Sequence, residues 1–392
     1  MDGNIKSIMI VNRRPALSSF HRLLIGVSLG VMLSKVDIWA IKFISGLPYW
    51  NLLILIGLLV TLPGSRWKVK LTSGESAFFV LLLGAAVVYH ISFIYFGTKN
   101  FSDSIILYLH IIATALVISS VGSGVLTLAP ALFFGSALTC GSLVWEIYFP
   151  GTFAPEIYRA AGFATDPNLG AFSLTSLSVL TIYMNSIGVL KRIHFSIILG
   201  VMMYLVFFTG SRASMLILLL LVSFSLFNSI SRSLKGVGSV AILIAPILVL
   251  VWSVDISKFE DTRLLDRFII TTSTYLADDI RYELFFEYVD LVASEPFGIG
   301  RAENQAKLVD AHNSALNIAS EAGIFAAIFF LAAIAVQFSS LVFALGWKSV
   351  FLILAFSVVI MSQNNVFFDR TWFLMVAAIF LLIRFHKGVR YV

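Results

Sequence analysis

The chain has 392 residues, of which 59% are hydrophobic and only 12% are charged, and its formal net charge is +6. This balance excludes an ordinary soluble globular protein. Nucleic acid binding is not expected either, because the positive charge gathers in loops on one side of a predicted membrane. The single cysteine, Cys140, excludes a disulfide framework and a metal site built from cysteines.

Long uncharged stretches define the fold class. Several run for 17 or more residues, such as 236–254, and each can cross roughly 30 Å of hydrocarbon as a helix. Lipid offers no hydrogen-bond partners, so each span must satisfy its own backbone polar groups, which favours helices over strands. The chain is therefore predicted to be an all-α, polytopic membrane protein.

About twelve transmembrane helices follow one another along the chain. Their predicted ranges are 22–45, 49–64, 75–96, 102–121, 124–147, 167–187, 194–209, 212–230, 236–254, 312–344, 349–364 and 370–386. The first is interrupted by Lys35, Asp37 and Lys42, so it is either broken or ends early and lies along the interface. The N-terminus is basic and no small-residue cleavage site follows the first apolar run, so we expect a retained span rather than a signal peptide.

Charge asymmetry predicts the orientation. With the N-terminus inside, the inside segments hold fifteen Lys and Arg residues but only two acidic residues, Asp2 and Glu75. Cytoplasmic loops are enriched in Lys and Arg, so both termini are predicted to be cytoplasmic. Residues 1–254 then form spans one to nine, residues 255–311 form one large periplasmic loop, and residues 312–392 form spans ten to twelve.

The large loop is predicted to contain one amphipathic helix, near 278–294. Its apolar residues form a single stripe at helical spacing, made of Leu284, Phe285, Tyr288, Leu291 and Val292. A helix with this stripe packs on the membrane surface or on the bundle. Pro296, Gly298 and Gly300 follow it and indicate a tight turn.

His312 lies where the polar loop meets the tenth span. An imidazole titrates near neutral pH, so at this position His312 is a candidate general base for a hydroxyl group. The alternative is an interfacial histidine that caps the helix together with Asn313.

Arginines at the outer ends of spans suggest an anion site. Arg212 follows Thr-Gly-Ser between two spans, Arg159 precedes the sixth span, and Arg281 begins the loop helix. A guanidinium binds phosphate through two parallel hydrogen bonds. Singly, Arg212 is equally an interface anchor and the others are solvated loop charges, but together with His312 they favour an anion site. Arg301 is a weaker candidate because it has no motif. No set of Asp, Glu and His residues has metal-ligand spacing, so no metal is expected.

Three short motifs connect these residues. They are R-x10-G at Arg159–Gly170, which contains Asn168, TGSR at Thr209–Arg212, and PFGIG followed by HN-x9-G at His312–Gly323. The set resembles the O-antigen polymerase and O-antigen ligase family of bacterial envelopes over roughly residues 150–340. The plan of twelve spans with one large outside loop before the tenth fits the same family.

The resemblance implies a GT-C-like glycosyltransferase of the bacterial inner membrane, with its active site on the periplasmic face. Its substrate would be a glycan on undecaprenyl pyrophosphate, used without a metal, a cofactor or a nucleotide sugar. The family's catalytic histidine falls on His312, its arginines fall on Arg212 and Arg281, and Arg159 matches the polymerase-type motif. Asn168, Asn313 and Arg301 are neighbouring candidates for binding the pyrophosphate or glycan. Membrane lipid and a chain-length regulator protein are the expected partners.

Two alternatives stay open from the sequence. The first is the ligase, which transfers the glycan to lipid A-core. Its pattern continues with a small or polar residue after the glycine, whereas Ile324 and Phe325 follow Gly323 here, so the polymerase is favoured. The second is a transporter or flippase, for which we would expect two matching halves and broken or charged helices at the midplane. No internal repeat is visible.

Overall fold

The computed structural model describes residues 19–62, 69–96, 101–124, 126–155, 159–230, 280–301, 303–304, 313–363 and 365–388. His312, the predicted ninth span at 236–254 and the loop segment 255–279 lie outside these residues. Within them all regular structure is helical, so the all-α prediction is confirmed for this part of the chain.

Fourteen α-helices make up the described residues. They are α1 (Ser19–Ser34), α2 (Val36–Ala40), α3 (Leu47–Val60), α4 (Ser73–Tyr95), α5 (Phe101–Gly122), α6 (Ala129–Tyr148), α7 (Pro167–Ser186), α8 (Arg192–Thr209), α9 (Arg212–Ile230), α10 (Ile280–Ser294), α11 (Ser314–Ala322), α12 (Ile324–Leu345), α13 (Ser349–Ser362) and α14 (Arg370–His386). Helix α10 lies within the segment 278–294, where the sequence predicts a helix. It turns Tyr288, the central residue of the predicted stripe, fully inward.

Five helical stretches are long and apolar enough to cross a membrane. They are Ser73–Tyr95, Ser104–Gly122, Ala129–Tyr148, Arg192–Thr209 and Ile324–Ser362, and the last includes the turn at Gly346 that separates α12 from α13. Such helices are compatible with a membrane protein. The count of twelve spans and the periplasmic side of the long loop stay predictions.

Contacts between residues that are distant in the sequence place the helix ends at two opposite faces of the bundle. The Arg159 face is defined by the C-terminal ends of α1, α4, α6, α8 and α13 and the N-terminal ends of α3, α5, α7, α9, α12 and α14. The Arg384 face holds the opposite ends. The whole of the short helix α11 lies at the Arg159 face, because Ser314 contacts Gln363 and Glu321 contacts Ser92 and Asn365. Contacts fix this arrangement at both levels: the Ser314 hydroxyl donates to the Gln363 carbonyl at the first face, and Arg384 contacts Glu75 at the second.

Exposed aromatic residues lie near both faces. Trp50, Trp145 and Tyr148 are exposed near the Arg159 face, and Trp347 is exposed near the Arg384 face. Tryptophan and tyrosine favour the two membrane–water interfaces, where an amphipathic ring is half in lipid and half in water. Their positions are compatible with a membrane protein.

Two predicted spans are broken helices. The first ends at Ser34, and Lys35 takes a left-handed backbone conformation (φ 58°) before the short helix α2. The tenth predicted span, 312–344, is divided by Gly323 (φ 93°) into α11 and α12. The first break is one of the two outcomes left open by the sequence, whereas the second was not predicted.

Buried ion pairs fasten the last helix at both faces. At the Arg384 face, Arg384 donates from Nε and Nη2 to the two carboxylate oxygens of Glu75, each 2.6 Å away. At the Arg159 face, Lys35 Nζ lies 2.6 Å from Asp369 Oδ2, and Arg370 forms a bidentate pair with Asp37. The charges in each pair are mutually compensated, which is the condition under which charged groups are tolerated away from water.

Candidate functional site

Arg159 is buried against the end of α8. Its Nε atom donates to the carbonyl oxygen of Thr209 at 2.7 Å, and its Nη2 atom donates to Asn168 Oδ1 at 2.9 Å. The next residue, Ala160, donates its backbone N–H to the Phe208 carbonyl. Carbonyls in the last turn of a helix have no partner within that helix, so the Arg159 loop satisfies two of them. Arg159 as a whole residue is only 6% exposed, and its contact with the Thr209 carbonyl places a fixed positive charge beneath the TGSR turn.

A close backbone contact explains the glycine of the R-x10-G motif. A Cβ atom on Gly170 would lie 2.5 Å from the carbonyl oxygen of Ala161. The loop therefore crosses α7 at a point where only glycine leaves room. Asp166 caps α7 by accepting from the backbone N–H groups of Asn168 and Leu169, and Pro167 occupies the first turn.

The TGSR motif forms a minimal turn between two helices. Gly210 has the left-handed conformation (φ 62°) that ends α8. The hydroxyl oxygen of Ser211 accepts from the backbone N–H of Ser214 at 3.5 Å, which caps the start of α9. Arg212 is the first residue of α9 and its side chain is exposed. The glycine and serine thus have structural roles, whereas neither role requires an arginine at position 212.

Glu146 organises the same loop and was missed in the sequence. It is 2% exposed, and its carboxylate accepts four backbone N–H groups. Oε1 accepts from Phe153 and Ala154 at 3.1 and 2.9 Å, and Oε2 accepts from Ala161 and Gly162 at 2.6 Å each. A carboxylate in the last turn of a helix opposes the helix dipole, so Glu146 at the end of an apolar span was the available signal.

The PFGIG turn joins the break between α11 and α12. Ile299 and Gly300 donate their backbone N–H groups to the carbonyls of Ser320 and Glu321, and Ile324 donates to the Pro296 carbonyl. The glycines of the PFGIG and HN-x9-G motifs are therefore brought into one structural unit. Their order along the chain is visible in the sequence, whereas this contact is not.

A buried polar cluster lies directly behind that turn. Tyr89 donates from its hydroxyl to Glu321 Oε2 at 3.0 Å, and Asn365 Nδ2 donates to both the Tyr89 oxygen and Glu321 Oε2 at 2.9 and 3.1 Å. The guanidinium of Arg301 stacks over the Phe368 ring, 3.9 Å from its centre. This stacking orients Arg301 at the Arg159 face.

The remaining candidate residues are placed in part. Asn313 caps α11 by accepting from the backbone N–H groups of Ala315 and Leu316 at 3.1 and 3.2 Å. The candidate base His312 immediately precedes this cap in sequence but lies outside the described residues. Arg281 belongs to α10, and its side chain likewise lies outside the description. Arg159, Asn168, Arg212, Arg301 and Asn313 all lie at the Arg159 face.

The described residues contain no group of three or more His, Cys, Asp and Glu side chains arranged to hold a metal ion. The charged groups placed at the Arg159 face can instead act as hydrogen-bond donors and as fixed positive charges. No known protein-family model matches the chain, and no curated protein matches its sequence.

Proposed function

We propose that this protein is a membrane glycosyltransferase that polymerises lipid-linked oligosaccharide repeat units into O-antigen or a related surface polysaccharide. The observation that carries the proposal is the contact of Arg159 with Thr209 and Asn168, because it joins the R-x10-G motif to the TGSR motif. Two motifs separated along the chain thereby form one basic turn at the ends of the helices.

The chemistry of such a transfer suits these side chains. When the anomeric C–O bond of an undecaprenyl-pyrophosphate glycan breaks, negative charge develops on the pyrophosphate. Fixed guanidinium groups in a partly dehydrated site stabilise that charge without a metal. In this proposal the exposed Arg212 contacts the anion, and the buried Arg159 supplies positive charge from below.

The acceptor hydroxyl must lose its proton as it attacks. We assign this step to His312, whose neutral imidazole takes a proton from the hydroxyl and gives it up after the glycosidic bond has formed, at a rate gain of roughly 10²–10⁴-fold. Attack on the side opposite the pyrophosphate predicts inversion at the anomeric carbon. The donor brings its own leaving group, so no nucleotide is needed on this side of the membrane.

The Arg384 face is proposed to be cytoplasmic, with the Arg159 face periplasmic. Among the described residues, the Arg384 face carries Arg22, Lys70, Lys191, Arg192, Lys348, Arg384 and Lys387 but the single carboxylate Glu75, whereas the basic residues Lys35, Arg159, Arg212, Arg301 and Arg370 of the Arg159 face are accompanied by at least as many carboxylates. The described carboxylates of Asp37, Glu146, Asp166, Glu321 and Asp369 are at the Arg159 face. An excess of Lys and Arg marks the cytoplasmic side of membrane proteins.

The distribution of charge argues against a transporter or flippase. In the part of the chain that the structure describes, Asp, Glu, Lys and Arg side chains lie near the ends of the spanning helices, and none lies at their middle. Transport proteins typically place charged groups or unwound helices near the bilayer midplane. The breaks at Lys35 and Gly323 lie at the Arg159 face instead.

Gene deletion and point variants test the proposal in cells. Loss of a polymerase leaves single repeat units on the lipid anchor, whereas loss of a ligase leaves long glycans unattached. We expect the first outcome, and we expect R212A and H312A to reproduce it at normal protein levels. Normal glycan length in both variants would contradict the proposal, and unattached long glycans would favour the ligase.

A further inference from the structure

The loop that delivers Arg159 is held by one acidic side chain. The Glu146 carboxylate lies at the C-terminal end of α6, is almost fully buried, and accepts N–H groups from two separate parts of the loop. Residues 153 and 154 bind one oxygen, and residues 161 and 162 bind the other. The two ends of the loop are thereby fixed to the same helix.

The attachment of the loop to Glu146 also limits where the Arg159 guanidinium group can lie. Ala161, which donates to Glu146 at 2.6 Å, is two residues from Arg159. Between them, Ala160 donates to the Phe208 carbonyl at 3.0 Å. Arg159 is therefore enclosed between an attachment to α6 and an attachment to α8. Its side-chain position depends on both.

We propose that Glu146 is a positioning residue for Arg159, which sets the basic charge beneath the Thr209–Arg212 turn and thereby the affinity for a lipid-linked pyrophosphate. The inference rests on the proposed function, because it takes the pyrophosphate as the anion at that turn. In this inference Glu146 acts through Arg159 and makes no contact with the substrate itself. Its carboxylate accepts hydrogen bonds from four backbone N–H groups. Glu146 therefore holds the loop without placing a repulsive negative charge in the anion site.

Replacement of Glu146 by glutamine is the most specific test of its hydrogen-bonding role. In E146Q the side chain keeps its size, but the amide group presents N–H donors to at least one pair of backbone N–H donors. The loop must then move away from α6. E75Q makes the same chemical change at a buried carboxylate of the opposite face, where Glu75 pairs with Arg384, and is the matched control.

The measurement is binding of undecaprenyl pyrophosphate to purified, folded protein in nanodiscs, together with KM and kcat for a lipid-linked repeat unit. For E146Q we expect the dissociation constant and KM to rise roughly 10–100-fold, the range seen when residues that support the ligands of a metal site are removed. E75Q should bind as wild type. Folding of both variants is compared by their thermal unfolding temperatures.

A second variant disturbs the loop without touching the carboxylate. Gly162 has φ 57°, and a Cβ atom there would lie 2.5 Å from the hydroxyl oxygen of Ser142. G162A should therefore weaken lipid binding as E146Q does, and the double variant S142A/G162A should restore part of it. This pair decides the question if E146Q does not fold.

The outcomes separate the two proposals. If R159A loses lipid binding while folded E146Q binds as wild type, Glu146 is not a positioning residue and the proposed function stands. If R159A, R212A and E146Q all bind and polymerise normally, the proposed function itself fails. If G162A binds the lipid normally, or S142A brings no recovery, the inference about Glu146 is overturned.

Discussion

Gly298 and Gly323 meet backbone to backbone at the Arg159 face. A Cβ atom on Gly298 would lie 2.7 Å from the backbone nitrogen of Gly323, and one on Gly323 would lie 2.8 Å from the carbonyl carbon of Phe297. Both residues also have positive φ angles, 82° and 93°. Two independent constraints thus require glycine at each position.

We therefore expect G323A to separate the PFGIG turn from the α11–α12 break. The matched control is G188A, since Gly188 also has a positive φ (79°) but has no atom within 4 Å of an added Cβ. Left-handed conformation alone costs roughly 1–2 kcal/mol, so G188A should lose about that much stability. G323A should lose clearly more in thermal unfolding and should shorten the glycan. Equal losses in the two variants would contradict the contact.

A second pair of glycines tests the R-x10-G motif. G170A places a methyl group against the Ala161 carbonyl, which lies 2.5 Å from the built Cβ position. Displacement of Arg159 by about 1 Å can cost about 10²-fold in rate. The control G141A adds a methyl group to the helix α6 where nothing lies within 4 Å, and alanine favours helix there. Glycan length should fall in G170A and stay normal in G141A at equal protein levels.

The paired charges at the Arg159 face predict a non-additive loss of stability. D37N leaves the buried Arg370 without its bidentate partner, which typically costs about 3–5 kcal/mol. R370M alone likewise leaves the buried Asp37 carboxylate without its positively charged partner. The double variant D37N/R370M should be more stable than the sum of the single losses predicts. Additive losses in chemical unfolding would show that the two residues do not act as a pair.

Cysteine accessibility tests the orientation. In a C140S background, T152C places a thiol at an exposed position of the Arg159 face, and V189C places one at an exposed position of the Arg384 face. A membrane-impermeant maleimide should label T152C in intact spheroplasts. It should label V189C only after the membrane is permeabilised. The reverse pattern would invert the proposed orientation and place the candidate site in the cytoplasm.

The positions of the helices were largely predictable from the sequence, whereas the contacts between distant parts of the chain were not. The predicted span 370–386 coincides with α14, and 194–209 differs from α8 by two residues at its start, because apolar length is a local property. The break at Gly323 escaped detection because a single glycine within a helical stretch does not by itself indicate a break. Its cause is the packing of the PFGIG turn, which hydropathy does not record.

The same distinction applies to the candidate site. Arg159, Asn168 and Arg212 were selected from the sequence because their residue types suit an anion. The contact of Arg159 with Thr209 spans 50 positions, and the pair Lys35–Asp369 spans 334. Such pairings follow from how the helices assemble, so a single sequence indicates the partners but not the pairs. Glu146 was missed for this reason, since its four partners are backbone groups.

Reconstitution with a defined substrate tests the central claim most directly. Purified protein in liposomes is supplied with synthetic repeat units on undecaprenyl pyrophosphate, and products are separated by length. We predict a ladder of polymers from wild type and from R192A, which removes an exposed arginine of the Arg384 face, and no ladder from R212A or H312A. A folded wild-type protein that forms no glycosidic bond, or an H312A variant that forms a full ladder, would contradict the account.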